Sequence, residues 1–450
     1  MDSDLASRYD LRIPRYTSYP TAPHFSPDIS ASDYQSWLGG IPGDAPVSLY
    51  VHIAYCRQIC RFCACHAARA ENRAVLDDYL DALAQEAAML AKRLPERMTV
   101  QNIHFGGGSP SILSAEQIKT LFLSIRTHFD IAPDAEISVE MDPRSATKTF
   151  VAALARSGVT RASLGVQDFN PDVQKAIGRI QPFEQTERLV RWLKGVGIGA
   201  INLDLLYGLP LQSRDHVLRS LDLAASLTPS RIALFGYAHV PWMKENQKAI
   251  PEDALPGTEE RWRLYEEAVR RLVEGHGFVQ IGFDHFARPE DPLAHALSEH
   301  RLHRNFQGYT TDEAAVLLGL GASAIGFSPK GYVANETDPD LWRKTIRSGS
   351  FATRRGLLLS EEDLVRRALI ETLMCNMVLD VGEVCRRFGR DPASFDANLS
   401  DLAPMEDDGL LTVKGRIIRM TRAGAPLVRA ACACFDQYLK TGEQRHSKAV

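Results

Sequence analysis

Four cysteines, Cys56, Cys60, Cys63 and Cys65, crowd into one short segment of the chain. The run Cys56-Arg57-Gln58-Ile59-Cys60-Arg61-Phe62-Cys63 spaces three thiols as CxxxCxxC. Soft thiolates at this spacing can wrap one inorganic cluster. A structural zinc site normally closes its tetrahedron with two CxxC knuckles, or with one knuckle and a distant histidine pair. Neither pattern is present. Three ligands on one short loop suit a 4Fe-4S cluster with one iron left open, where a small chelating molecule can bind and receive an electron. Zinc closed by Cys65 or His66 remains the alternative at this point, as do buried cysteines that hold nothing.

Other polar groups sit at the ends of apolar runs. Gly106-Gly107-Gly108-Ser109-Pro110 follows NIHF. It has neither the dinucleotide fingerprint nor the Walker spacing. It reads either as a plain strand-to-helix turn or as backbone left bare for a ligand. Glu140 ends EISVE, just before Asp142-Pro143-Arg144, and Gln167 follows SLGV. Such residues also serve as helix caps or ion-pair partners. Asp204 lies inside INLDLLYG, where a buried carboxylate needs a partner such as a ribose hydroxyl or an arginine. Arg179 could pair with a ligand carboxylate through two parallel hydrogen bonds.

These groups need a scaffold. Short β-branched or apolar runs at 47–53, 100–106, 136–141, 161–166, 199–208, 231–237 and 278–283 alternate with amphipathic stretches at 74–94, 115–129, 146–157, 182–195, 214–226 and 257–275. Alternation of this kind predicts an α/β fold, a partial or complete parallel (β/α) barrel, with reactive groups on loops at the C-terminal strand ends. Residues 1–45 show no helical period and read as an extended arm. Residues 46–330 would form the barrel, and 331–450 a mainly helical C-terminal domain that begins with a linker at 330–355 carrying one short helix. The alternating run 409–421 reads as a hairpin, which gives that domain a winged-helix-like look. Its mixed charge argues for a lid or packing role rather than DNA binding.

The whole chain has 450 residues, 45% apolar and 24% charged, with a formal net charge of −4. That is a globular composition without the basic field that draws proteins to nucleic acid or anionic lipid. No run reaches the roughly 18 apolar residues a membrane-spanning helix requires. The first residues, MDSDLASRYD, lack the apolar core of a secretory signal. A clustered rather than dispersed cysteine pattern favours metal or redox chemistry over disulfides. A soluble cytoplasmic protein, with no nucleic acid or membrane partner, is the expectation.

CxxxCxxC on the first βα loop resembles the radical S-adenosylmethionine (SAM) superfamily. The resemblance implies that Cys56, Cys60 and Cys63 hold a 4Fe-4S cluster whose fourth iron is chelated by SAM, with Phe62 beside the adenine. The glycine run resembles that superfamily's motif for the SAM amino group, with Gly-Ser where Glu is common elsewhere. Longer strings resemble one branch, the oxygen-independent coproporphyrinogen III oxidases: RYTSYPTA (15–22), YVHIAYCRQICRFCACH (50–66), GGGSPSIL (106–113), EMDPR (140–144), SLGVQDFNPDVQKAIGRIQ (163–181), INLDLLYGLP (201–210), GYAHVP (236–241), IGFDHFARPEDPLA (281–294) and LHRNFQGYTT (302–311). Ala54-Tyr55, Ala64 and Ser109 depart from the branch's usual Pro-Phe, Gly and Thr, and keep the aromatic, the small volume and the hydroxyl.

The branch resemblance implies oxidative decarboxylation of two propionates of coproporphyrinogen III to vinyl groups, giving protoporphyrinogen IX, through hydrogen abstraction by a 5′-deoxyadenosyl radical. It implies two SAM molecules, bound by Tyr50, Gly107, Gly108, Ser109, Glu140, Gln167, Arg179, Asp204, Ala238 and Ile325. Cys65 would be an additional catalytic cysteine that does not ligate the cluster. An electron donor and a separate electron acceptor are required, and no segment demands a partner copy, so a monomer is expected. For the substrate's four carboxylates the cationic candidates are Arg15, Arg288 and Arg304, each of which could equally be an ordinary ion-pair residue. A haem-trafficking protein or a porphyrin-related methyltransferase on the same barrel, and a zinc-stabilised interaction protein, are the competing readings.

Overall fold

The structure is a computed structural model that describes Leu5, Arg8, Tyr9 and residues 11–439. Residues 1–4, 6, 7 and 10 of the expected arm and 440–450 of the expected C-terminal domain lie outside the described residues.

Six strands follow in chain order, each parallel to the one before: β1 (Val47–Ile53), β2 (Thr99–Gly107), β3 (Asp130–Met141), β4 (Arg161–Gln167), β5 (Ala200–Tyr207) and β6 (Arg231–Gly236). Helices Arg73–Arg93, Ala115–His128, Lys148–Arg156, Phe183–Gly195 and Arg214–Ser226 cross between them. β7 (Val279–Ile281) and β8 (His285–Ala287) add antiparallel strands beyond β6. On the other side β9 (Val316–Leu320) runs parallel to β1, and β10 (Ile325–Ser328), β11 (Gly331–Asn335) and β12 (Thr353–Leu358) extend the sheet antiparallel. The order is β12-β11-β10-β9-β1-β2-β3-β4-β5-β6-β8-β7, so the curled sheet ends in two edges and the barrel is partial.

Strand alternation separates the two faces. Along β5, Ile201, Leu203 and Leu205 are buried toward the helices, whereas Asn202 and Asp204 are half-buried on the concave face. β3 repeats the pattern with Ile137 and Val139 out and Glu136, Ser138 and Glu140 in. The result is an apolar shell around a polar interior.

Three expectations need correction. The arm contains a helix, Ala31–Gly39, whose Ser30 and Asp33 form a reciprocal capping box. Its signal was Ser-x-x-Asp. The run 278–283 is not a further barrel strand: three residues of it pair antiparallel. The expected linker at 330–355 holds, besides the one short helix expected there (Pro339–Arg347), β11 and the first half of β12, and the boundary expected after residue 330 falls between β10 and β11, which pair from Ile325–Ala334 to Ser328–Gly331.

Between Glu361 and Leu439 the chain is mainly helical, with helices Glu361–Asn376 and Val381–Arg387, the hairpin Leu411–Lys414/Ile417–Met420, and helix Val428–Ala433. It has its own core, and the arm is part of it: Tyr9, Ile13, Tyr16 and Tyr19 pack with Leu369, Leu373, Leu410 and Phe435. Tyr16 Oη donates to Asp436 Oδ2 at 3.0 Å, and the Gln437 N–H donates to Tyr19 Oη at 3.1 Å. Among the described residues no helix is long and apolar enough to cross a membrane.

Candidate active site

The cysteine loop leaves the C-terminal end of β1. Cys60 is buried, Cys56 and Cys63 are half-buried, and Cys65 is exposed toward the interior of the curled sheet. The loop is held largely through its own carbonyls. Asn246 Nδ2 donates to Cys60 O, Arg61 O and Cys63 O at 3.0, 3.1 and 2.8 Å. Gln247 Nε2 donates to Phe62 O at 2.7 Å, and Lys244 Nζ to Cys65 O at 3.2 Å. The segment after β6 thus clamps the loop, a role invisible in sequence because 180 or so residues of chain separate the partners.

Two guanidiniums stand beside the Cys60 sulfur. Arg144 Nη2 lies 3.2 Å and Arg179 Nη1 3.5 Å from Cys60 Sγ. Both guanidiniums also meet Asp142, at 2.7 and 3.2 Å. Burial pushes the Asp142 carboxyl up, but Arg179 and Arg144 outweigh it and hold the group below its ordinary range. Burial, with Cys63 and Cys60 nearby, pushes Cys56 up to about 12, so metal binding there must displace a proton. Among the described residues no three His, Cys, Asp or Glu side chains close around a single point as for one metal ion. Three soft donors on one loop, two cations at the sulfur and a clamped backbone fit an anionic iron–sulfur cluster.

The glycine run lies against the root of this loop. The Gly108 N–H donates to Ile53 O at 2.8 Å and the Ser109 N–H to Tyr55 O at 2.9 Å. A Cβ on Gly108 would sit 2.6 Å from Tyr55 O, and Gly107, at φ +106°, would put one 2.7 Å from the His52 ring. Close approach therefore requires glycine at both. The Gly107 N–H donates to Glu140 Oε2 at 3.3 Å, and His104 Nε2 donates to Glu140 Oε1 at 2.9 Å. Burial alone would raise the Glu140 carboxyl; His104 and that N–H more than offset it and keep the group ionised.

An interior cavity of about 470 Å³ gathers Tyr50, Cys65, Gly107, Glu140, Asp204 and Ile325. Asp204 accepts from Ser163 Oγ at 3.0 Å and Asn202 Nδ2 at 2.7 Å, and burial together with Glu140 raises it to about 6. Gln167, in a left-handed conformation at φ +69°, and Arg179 flank Gly165, whose Cβ would lie 3.0 Å from Gln167 Nε2 and 3.2 Å from Arg179 Nη2. Phe62 packs against Val173, Ile177 and Tyr237, and Ser109 is buried with its Oγ 2.8 Å from Ser111 Oγ. Ala238 and Arg15 line a second cavity instead.

Of the three arginine candidates, Arg15 lines the second cavity, whereas Arg304 and Arg288 line neither cavity. Arg304 is buried beside Asp284 at 3.6 Å and stacks 4.4 Å over Tyr309. Arg288 is not brought to either cavity: its N–H donates to Ser230 O at 2.9 Å and its Nη1 to His276 O at 2.7 Å. The reason is strand direction. β8 is antiparallel, so its C-terminal end, followed by Arg288, lies at the start of β6, away from the mouth. His52 was missed although it alternates with Tyr50 in YVHI. It accepts from Tyr50 Oη at 2.9 Å on Nδ1 and donates through Nε2 to His66 O at 2.8 Å.

A cluster-type thiol loop at the C-terminal edge of a partial parallel barrel, facing a polar interior, defines a radical SAM protein. Residues 50–224 match the Radical SAM superfamily model and 359–427 the HemN C-terminal domain model. The chain is 44% identical to the oxygen-independent coproporphyrinogen III oxidase of Bradyrhizobium diazoefficiens, over all of both chains. It is 42% identical to that of Paracoccus denitrificans, over 98% of this chain and 97% of the other. The solved structure of coproporphyrinogen III oxidase (HemN) from Escherichia coli, a radical SAM enzyme, superposes with a TM-score of 0.91 at 37% identity, covering 97% and 99% of the two chains. The chain belongs to the oxygen-independent coproporphyrinogen III oxidase family. It is a radical SAM oxidoreductase whose cofactors are a 4Fe-4S cluster and SAM.

Proposed function

We propose that this enzyme converts two propionates of coproporphyrinogen III to vinyl groups without oxygen, yielding protoporphyrinogen IX for haem synthesis. The observation that carries the reading is the three-thiol loop standing over a polar cavity, in a chain that matches relatives of that name from end to end. When bound, the 4Fe-4S cluster and SAM would supply the one-electron chemistry needed to remove a propionate β-hydrogen. Cys56, Cys60 and Cys63 hold the cluster, while Arg144 and Arg179 offset the thiolate charge at Cys60.

Glu140, kept ionised by His104, receives the SAM amino group. Asp204 accepts from ligand hydroxyls, and Tyr50, Gly107, Gly108, Ser109, Gln167, Arg179, Ala238 and Ile325 complete the sites for two SAM molecules, with Phe62 beside the adenine. Cys65 faces the cavity without ligating the cluster. The arm and the C-terminal region, docked on each other through one core, exclude water from the mouth. We divide the chain into the arm, a barrel carried on to Leu358, and the C-terminal region. A separate electron donor and acceptor serve a monomeric, cytoplasmic enzyme.

The test is anaerobic reconstitution with iron and sulfide, then incubation with reductant, SAM and coproporphyrinogen III. Vinyl product with 5′-deoxyadenosine is expected; methylated product, or cleavage of SAM with no vinyl formed, refutes the reading.

A further inference from the structure

Beyond Phe235, which also lines the interior cavity, lies the second cavity, of about 450 Å³. Three parts of the chain wall it. Arg12 and Arg15 come from the arm, Arg261 from helix Thr258–Arg270, and Arg429 from helix Val428–Ala433. Against these four arginines the described lining holds two carboxylates, Glu252 and Asp284. Both have partners. Asp284 accepts from His285 Nδ1 at 2.7 Å, faces Arg304 at 3.6 Å and also acts on Arg15 and Arg429, and Glu252 lies 3.7 Å from His239, so the cations of the lining still outnumber its carboxylates.

Backbone carbonyls aim the guanidiniums. Arg15 Nη2 donates to Gly236 O at 3.0 Å, Arg261 Nη1 to Tyr237 O at 3.0 Å, and Arg429 Nη1 to Ile13 O at 3.5 Å. Arg12 lies 5.7 Å over the Trp242 ring. Burial, with Arg15 nearby, lowers Arg429 to about 10. Four guanidiniums facing one cavity give it a cationic lining that draws an anionic ligand. The guanidinium fork matches a carboxylate oxygen for oxygen.

We infer that this cavity is the seat for propionate carboxylates of the substrate, an assignment that rests on the reading of coproporphyrinogen III as substrate. Phe235 stands between the cavities, so a macrocycle anchored here by some of its carboxylates presents another propionate to the SAM-binding interior. Arm and C-terminal helix each supply a cation, so the seat is complete only when the two are docked.

The experiment is calorimetric titration of the reconstituted full-length enzyme with coproporphyrin III, the air-stable form bearing the same four propionates, and with its uncharged tetraamide. A charge-assisted contact of this kind is worth roughly a 10-fold change in affinity. The tetraamide should therefore bind at least that much more weakly. Arg15→Gln and Arg429→Gln should each lose about as much, with SAM affinity and iron content unchanged, while Arg288→Gln should bind normally. Equal binding of acid and tetraamide by the unaltered enzyme overturns the seat without any variant, as does normal binding by folded Arg15→Gln and Arg429→Gln. Turnover of coproporphyrinogen III is measured on the same preparation. Its presence alongside either negative result overturns the seat alone; failure of both turnover and binding overturns the substrate reading as well.

Discussion

Asp204→Asn should stabilise the cofactor-free protein at neutral pH while weakening its ligand site. The carboxylate sits on the concave face of β5, and burial, reinforced by Glu140, raises it from its ordinary 3.8 to about 6. Between those two pH values the folded chain holds a proton that the unfolded chain has released. Stability from this group is therefore fully present below pH 3.8, falls as pH rises through about 6, and stays lost above it. The shift converts to about 3 kcal/mol as a ceiling. Asp204 is only half-buried and faces a cavity, where water screens the charge, so a gain of about 1–3 kcal/mol is expected. Asparagine keeps the geometry: its oxygen can still accept from Asn202 Nδ2, and the Ser163 hydroxyl can turn to accept from the new amide. The assay is urea unfolding of iron-free wild type and variant at pH 4.5 and pH ~7.5, compared as midpoint differences. A gain at pH ~7.5 that shrinks to about a third of that at pH 4.5 supports the account. No gain, or one that does not depend on pH, refutes it.

Replacing Cys56, Cys60 or Cys63 by alanine should abolish iron and sulfide uptake on reconstitution, whereas Cys65→Ala should load the cluster normally and fail in turnover; iron analysis beside product assay separates the two. Gly108→Ala drives a Cβ to 2.6 Å from Tyr55 O, a backbone atom at the root of the cysteine loop. It should cost about 1–3 kcal/mol in chemical unfolding and lower cluster occupancy. Tyr16→Phe deletes the hydroxyl that donates to buried Asp436. A loss of about 1–3 kcal/mol, seen as a lower melting temperature with unchanged iron content, is expected.

The cluster loop, the glycine run and the six parallel strands were legible in the residues themselves. CxxxCxxC is local chemistry, fixed by spacing within one loop, and the parallel strands follow from short β-branched or apolar runs that alternate with amphipathic stretches. Asp204, a carboxylate inside an apolar run, already asked for a partner, and the structure supplies Ser163 and Asn202. The family strings settled the branch for the same reason, since each is a contiguous local pattern.

Everything that depends on direction or on distant pairing came only with the fold. Arg288 and Arg304 looked alike in sequence, but an antiparallel β8 sends Arg288 to the far end of the sheet while Arg304 packs against Asp284. A strand's residues do not say which way it will pair; that depends on the neighbour it finds. The Asn246 clamp, the arm's share in the C-terminal core and the cavity joining Arg15 to Arg429 are contacts between segments far apart along the chain. No local period encodes such contacts, because they are chosen by the packing of whole elements rather than by the neighbours of any one residue.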